Sequence, residues 1–109
     1  MKYDKLVRDK IPEIIAESGQ KATFRVLMPS ERMEYLEKKL DEEVAEFHES
    51  KDIEELADIL EVLIALAVEK GYGADVLQVE RLKKRTIRGG FDKKILLQEV
   101  CENETPRHS

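Results

Sequence analysis

The feature that most constrains this chain is a pair of acidic signatures, each at helical spacing. Glu43 and Glu46 lie three residues apart, as do Glu55 and Asp58, and an eight-residue spacer separates the two pairs. Positions three apart on an α-helix share one face. If the two segments are neighbouring helices, four carboxylates converge on one spot. Such a donor set favours Mg²⁺, which is commonly held by a few carboxylates together with waters and substrate phosphates.

Asp58 is the most informative of the four acids. It lies within the apolar-rich run Leu56–Val68, between Ala57 and Ile59. A bare carboxylate on an otherwise buried helix is unfavourable unless a cation or another partner compensates. A single Glu-x-x-Glu pair is more often a solvated helix surface, since glutamate is common there. The second pair, set in an apolar helix, shifts the balance toward a metal site.

The histidines argue against a transition-metal site. A di-iron helical bundle uses Glu-x-x-His pairs, but His48 follows Glu46 by two residues, which places it on another side of the helix. We interpret it as a surface histidine, and His108 lies in the C-terminal tail. The predicted cofactor is therefore Mg²⁺, with Mn²⁺ as an alternative.

Composition indicates one helix-rich domain over residues 1–100, followed by a polar, flexible tail over 101–109. Hydrophobic residues make up 41% and charged residues 39% of the 109 positions, and the net charge of −5 argues against general nucleic-acid binding. The longest apolar run is too short to span a bilayer, and the N-terminus lacks the apolar segment of a signal peptide. With one cysteine, Cys101, no intrachain disulfide is possible. We expect a cytoplasmic protein with no membrane partner.

The periodicity predicts a mainly α fold, an antiparallel bundle of about four helices with two short accessory strands. The first helix lies within Lys5–Ser18, where Leu6–Ile11 is a lead-in to Pro12, and the second begins at Ser30 as its N-cap. The remaining elements are helices over Ile53–Lys70, capped by Asp52, and Ala74 to about Arg88, and strands over Lys21–Met28 and Asp92–Val100.

The helix predicted over Ile53–Lys70 has apolar residues around nearly its whole circumference. Such a helix is expected to be buried on every side, and a domain of this size can hardly surround it alone. We therefore expect a homo-oligomer, either a dimer or a tetramer.

A basic strip follows in the last predicted helix. Lys84, Arg85 and Arg88 lie close together there, and arginine forks match phosphate oxygens well. Equally, cationic residues in a last helical turn complement the helix dipole. A smaller basic set near the N-terminus is formed by Lys5, Arg8 and Lys10.

The segment KLDEEVAEF followed by EELADILEVLIAL resembles the all-α nucleoside triphosphate pyrophosphatase superfamily, which includes MazG-like proteins and phosphoribosyl-ATP pyrophosphohydrolase. The flanks YDKLVRDKIPEII and RGGFDKKILLQEV resemble a compact house-cleaning subgroup, so the likeness extends over about residues 3–100. The short spacer between the acidic pairs departs from the superfamily and predicts a tight helix hairpin. The two strands are not part of its basic module.

The resemblance implies a role for each of these residues. Glu43, Glu46, Glu55 and Asp58 would bind magnesium, and Glu42 and Glu46 are the candidate catalytic carboxylates that orient a ligand or accept a proton. Lys84, Arg85 and Arg88 would contact substrate phosphates. The implied reaction cleaves a nucleoside triphosphate, expected to be a noncanonical nucleotide, between its α- and β-phosphates, giving a monophosphate and pyrophosphate.

Two alternatives stay open. One is phosphoribosyl-ATP pyrophosphohydrolase, against which the flanking segments argue. The other is a non-catalytic helical oligomerisation or regulatory module that carries the acids on its surface, and that binds no stabilising metal.

Overall fold

The computed structural model describes residues 4–102 and contains four α-helices in that range. The mainly α class is therefore confirmed. Most of the predicted tail, residues 103–109, lies outside the described residues, and so does His108. A 3₁₀ turn, Pro29–Glu31, leads into the second helix. The helices are α1 (Ile11–Glu17), α2 (Arg32–Ser50), α3 (Ile53–Glu69) and α4 (Ala74–Arg88).

The centre of the fold is the antiparallel hairpin of α2 and α3, which has the most extensive helix packing in the described chain. Only Lys51 and Asp52 separate the two helices, so the predicted tight hairpin is confirmed. Lys51 adopts the left-handed conformation, with φ of 61°, and its N–H donates to the carbonyl of Phe47 at 2.8 Å. Leu36 on α2 and Val62 on α3 are the buried apolar residues of this interface.

Glycine ends α3 as the sequence predicts. Gly71 has φ of 94°, a conformation that side-chain-bearing residues rarely adopt. Its N–H donates to the carbonyl of Val68 at 2.9 Å, and the N–H of Tyr72 donates to that of Ala67 at 3.0 Å. These two bonds form a Schellman motif, which satisfies the last carbonyls of the helix and turns the chain toward α4.

The four helices do not close a bundle within the described chain. Pro12 lies in the first turn of α1, as predicted, but no Cα atom of α1 comes within 8 Å of another helix. α4 packs against α3 less extensively than α2 does. The molecule is accordingly elongated, measuring 70 × 32 × 21 Å.

Both predicted strands are wrong for the described residues. Neither Lys21–Met28 nor Asp92–Val100 forms a strand, and the two segments do not pair. A strand exists only when a neighbour completes its hydrogen bonds, and alternation of side chains alone does not supply that neighbour. Their apolar side chains face solvent instead; Val26 is 90% exposed and Ile95 is 81% exposed.

The start of α2 also differs from the prediction. Ser30 lies inside the 3₁₀ turn and does not cap the helix; the carboxylate of Glu31 accepts the N–H of Met28 at 2.8 Å instead. Arg25 donates to both oxygens of Glu31, at 2.7 and 2.9 Å. The hydrogen bonds from Arg25 lower the pKa of Glu31 to about 2. The Glu31 carboxylate, held by Arg25 six positions earlier, thus takes the place of the predicted serine cap. Asp52 does occupy the N-cap position of α3, but its side chain forms no capping bond.

No described helix is both long and apolar enough to cross a membrane.

A large apolar surface remains on the outer faces of α3 and α4. The exposed residues recur every three or four positions, which places them on one stripe per helix. They are Leu56, Leu60 and Leu63 on α3 and Val76, Val79 and Leu82 on α4.

Candidate metal centre

The most buried of the described residues is a carboxylate. Glu43 on α2 is only 5% exposed, less than Leu36 or Val62. Its Oε1 atom lies 3.2 Å from the ammonium of Lys39, whereas its Oε2 atom is buried without any hydrogen-bond partner. A buried polar atom without a partner costs about 1–3 kcal/mol, and more when charged. The local arrangement is one that a cation would complete.

Two carboxylates of α3 face Glu43. One oxygen from each of Glu43, Glu55 and Asp58 can be chosen so that all three lie within 4.8 Å of one another. The hairpin produces this meeting because Glu43 lies eight residues before Lys51 and Asp58 seven residues after it. At 1.5 Å per residue, both lie about 11 Å along their helices from the turn. The structure therefore brings together three of the four predicted metal ligands.

The fourth predicted ligand, Glu46, lies next to this group and outside the set of three. It is exposed, one helical turn beyond Glu43. Burial raises the pKa of Glu43, and the nearby carboxylate of Glu46 raises it further, while Lys39 opposes both effects. A carboxyl group whose charge is disfavoured in this way gains most from a nearby cation. Whether Glu46 binds the ion stays a prediction.

Glu42, a predicted catalytic residue, lies between two lysines. Lys39 donates to it at 2.9 Å and Lys5 at 3.1 Å. Burial alone would raise the pKa of Glu42, but the hydrogen bonds from Lys39 and Lys5 outweigh it and lower the pKa. Glu42 is thus held ionised and paired, which makes it a weak proton acceptor.

Two cations contact the acids directly. The spacing of the acidic pairs by itself indicates a role for neither of these cations. Lys39 forms ion pairs with Glu42 and Glu43, which lie three and four positions later on α2. Pairs at this spacing can be predicted from the sequence. Arg8 reaches Asp58 at 2.7 Å across fifty positions of sequence. No local pattern indicates that contact, because it depends on where the N-terminal segment lies against the hairpin.

The predicted substrate-binding strip lies in the last part of α4. Lys84, Arg85 and Arg88 are all exposed on α4, and Arg85 pairs with Asp92 at 3.1 Å. Within residues 4–102, no hydrogen bond or ion pair joins the strip to the acidic cluster. Its contact with substrate phosphates stays a prediction.

The donor set fits a hard divalent cation. All three clustered groups are carboxylates, and oxygen donors suit Mg²⁺ and Mn²⁺. The buried Oε2 atom of Glu43 is an oxygen ligand that has no hydrogen-bond partner in the protein. His48 is exposed and lies beside the ring of Phe47, and no histidine or cysteine joins the cluster within the described residues.

Comparison with known proteins gives little further guidance. No known protein family matches the sequence, and no solved structure does. A protein of Mycolicibacterium smegmatis, described only as uncharacterized, is 54% identical over 41 residues. That stretch is 38% of this chain and 42% of the relative, so the chain covers less than half of the relative's length.

We expect Mg²⁺ or Mn²⁺ to raise the melting temperature of the protein by about 5 °C or more at saturation, because an ion bound only to the folded state stabilises it by mass action. Glu43→Gln should abolish this increase, since the substitution removes the buried anionic donor.

The matched control is Glu34→Gln. Glu34 lies on the same helix and also pairs with a lysine four positions away, Lys38, at 3.3 Å, but it is exposed and remote in sequence from the acidic pairs. The control should respond to metal as the wild type does. Equal metal stabilisation of Glu43→Gln and wild type would contradict the assignment of this centre.

Proposed function

We propose that the protein is a Mg²⁺-dependent nucleoside triphosphate pyrophosphohydrolase that cleaves the bond between the α- and β-phosphates of a noncanonical nucleotide. The observation that carries the proposal is the buried Glu43, which has one oxygen without a hydrogen-bond partner and whose carboxylate lies with those of Glu55 and Asp58 at the α2–α3 hairpin. The resemblance of both acidic signatures and their flanks to MazG-like proteins supplies the reaction class.

The carboxylates divide into two roles. Glu43, Glu55 and Asp58, with Glu46 beside them, would hold the metal, which polarises phosphoryl oxygens and lowers the pKa of a bound water. The products are a nucleoside monophosphate and pyrophosphate. Water adds to the α-phosphorus, the bond from that phosphorus to the bridging oxygen breaks, and the pyrophosphate leaves with the bridging oxygen.

Of the two candidate bases, Glu46 suits the proton-accepting role better. Glu42 is paired with Lys5 and Lys39, which lower its pKa and so weaken it as a base. Glu46 is exposed, adjoins Glu43, and forms no ion pair with any described lysine or arginine. Glu42 would instead hold the lysines in position beside the phosphates.

We expect the wild type to release pyrophosphate from at least one member of a panel of nucleoside triphosphates when Mg²⁺ is present. Asp58→Asn should reduce kcat/KM for that substrate by tenfold or more, about the loss expected when metal binding is impaired. The measurement is a coupled pyrophosphate assay at saturating Mg²⁺.

Asp52→Asn is the control for this assay. It makes the same chemical change two residues after the end of α2, and asparagine is an equally good N-cap residue. Activity of Asp58→Asn equal to that of Asp52→Asn, or wild type that is inactive on every triphosphate including phosphoribosyl-ATP, would rule the proposal out. In the second case the non-catalytic module would be the better description.

We also propose that the active form is a homo-oligomer. The chain exposes 10383 Å², about 4,000 Å² more than a compact monomer of 12.6 kDa is expected to expose. The chain owes part of this excess to exposed non-helical segments, residues 19–28 and 89–102, and part to the apolar stripes of α3 and α4. Its radius of gyration is 19.9 Å, against about 13 Å for a compact domain of this length.

A second copy of the chain is the occupant that best fits the exposed stripes of α3 and α4. A stable interface needs about 800 Å² from each partner, which the excess surface exceeds. One stripe belongs to α3, which also contributes Glu55 and Asp58 to the acidic cluster, so association would cover another face of that helix. A dimer is the smallest assembly that does this.

The double variant Leu60→Glu/Val79→Glu should dissociate the assembly, because it places charges on both stripes, at side chains that are 55% and 58% exposed in one chain. Light scattering coupled to size-exclusion chromatography should give at least twice the 12.6 kDa chain mass for wild type and the chain mass for the variant. Lys70→Glu, an exposed polar position at the end of α3, is the control and should remain assembled. Wild type that elutes with the mass of one chain would overturn this prediction.

A further inference from the structure

The N-terminal segment, residues 4–10, places one cation on the acidic cluster of Glu43, Glu55 and Asp58 and a second on the neighbouring Glu42. Arg8 contacts Asp58 on α3 at 2.7 Å, and Lys5 contacts Glu42 on α2 at 3.1 Å. Between these cations lie Leu6 and Val7, both half-buried. The segment is therefore anchored by apolar side chains and bridges both helices of the hairpin through its charges.

We propose that Arg8 and Lys5 bind the phosphate oxygens of the nucleotide; Arg8 exchanges Asp58 for phosphate when the divalent cation and the substrate bind, and Lys5 stays beside Glu42. The inference rests on the proposed function and extends it to the recognition of the triphosphate. The sequence predicts substrate-binding residues on α4, whereas the proposed phosphate contacts of Arg8 and Lys5 lie on the N-terminal segment.

The exchange follows from competition for Asp58. A divalent cation at the cluster neutralises the carboxylate that now pairs with Arg8, so it weakens the attraction that holds the guanidinium there. The Arg8 side chain is 54% exposed and free to rotate toward solvent. Metal-bound phosphates would lie beside it, and a guanidinium matches phosphate oxygens with two parallel hydrogen bonds.

A cleft beside Glu42 also favours a bound phosphoryl group. It has a volume of about 160 Å³, and its charged lining consists of three lysines and two acids: Lys5, Lys38, Lys39, Asp4 and Glu42. Whole small-molecule ligands occupy sites of roughly 300 Å³ or more, so this cleft is suited to a phosphoryl group and not to a nucleoside. Because the lysines outnumber the acids in this lining, an anionic group is the occupant that a cleft of this size favours.

The experiment compares Arg8→Gln with wild type in two measurements. The first is the KM of the triphosphate that wild type hydrolyses best, and the second is the affinity for Mn²⁺ without nucleotide, followed by electron paramagnetic resonance. We expect Arg8→Gln to raise KM by about tenfold or more, the effect of losing a charge-assisted contact. Its affinity for Mn²⁺ should stay equal or increase, because a competitor for Asp58 has been removed. A structural defect would weaken both.

Arg25→Gln is the matched control. Arg25 also forms a 2.7 Å ion pair with a carboxylate, that of Glu31, and its side chain is 61% exposed, but it contacts none of the clustered acids. Both its KM and its affinity for Mn²⁺ should equal those of wild type. Arg8→Lys should restore part of the lost KM effect, since it keeps the charge and loses the fork.

Two results would overturn the inference while leaving the proposed function intact. These are a KM for Arg8→Gln within about twofold of wild type, or a fall in its Mn²⁺ affinity that parallels the rise in KM. Wild type that neither hydrolyses a triphosphate nor binds Mn²⁺ would remove the proposed function and this inference together. Because wild type is measured first, that failure is known before any variant is compared.

Discussion

The burial of one carboxylate, that of Glu43, is the constraint on which the rest of the structure depends. A charged group placed among packed helices is unfavourable unless it is compensated. Lys39 compensates one oxygen of Glu43, and the other oxygen has no partner. The tight turn between α2 and α3 then determines which side chains meet the Glu43 carboxylate, because it sets Asp58 level with Glu43. A site for a divalent cation is the simplest reason for a small core to contain such a group.

The same hairpin links the proposed metal centre with the proposed assembly. α3 contributes two carboxylates to the centre on one face and a stripe of exposed leucines on another. A lone chain buries very little of this helix, since Val62 is its one buried residue among those described. We infer that association and metal binding would both stabilise α3, each from a different face of the helix. Loss of either is then expected to weaken the other, because both act on the folded hairpin.

The sequence predicted the local features of the fold well and the non-local features poorly. Apolar periodicity and end residues such as Asp52 and Gly71 identified the helices, because each helix is stabilised by bonds within itself and at its ends. The strands at Lys21–Met28 and Asp92–Val100 were wrong because pairing needs a partner that alternation does not specify. The same limit explains the site: the carboxylates were readable from their spacing, whereas the contact of Arg8 with Asp58 depends on tertiary position.

The most direct test of the central claim is a crystal structure of the protein soaked in Mn²⁺, with the ion located by its anomalous scattering. We expect a peak between α2 and α3, bound by Oε2 of Glu43 together with Glu55 and Asp58, with oxygen ligands at about 2.0–2.2 Å. No peak at that position under saturating Mn²⁺, or a peak that Glu43 does not contact, would contradict the claim that the buried carboxylate is there to bind a metal.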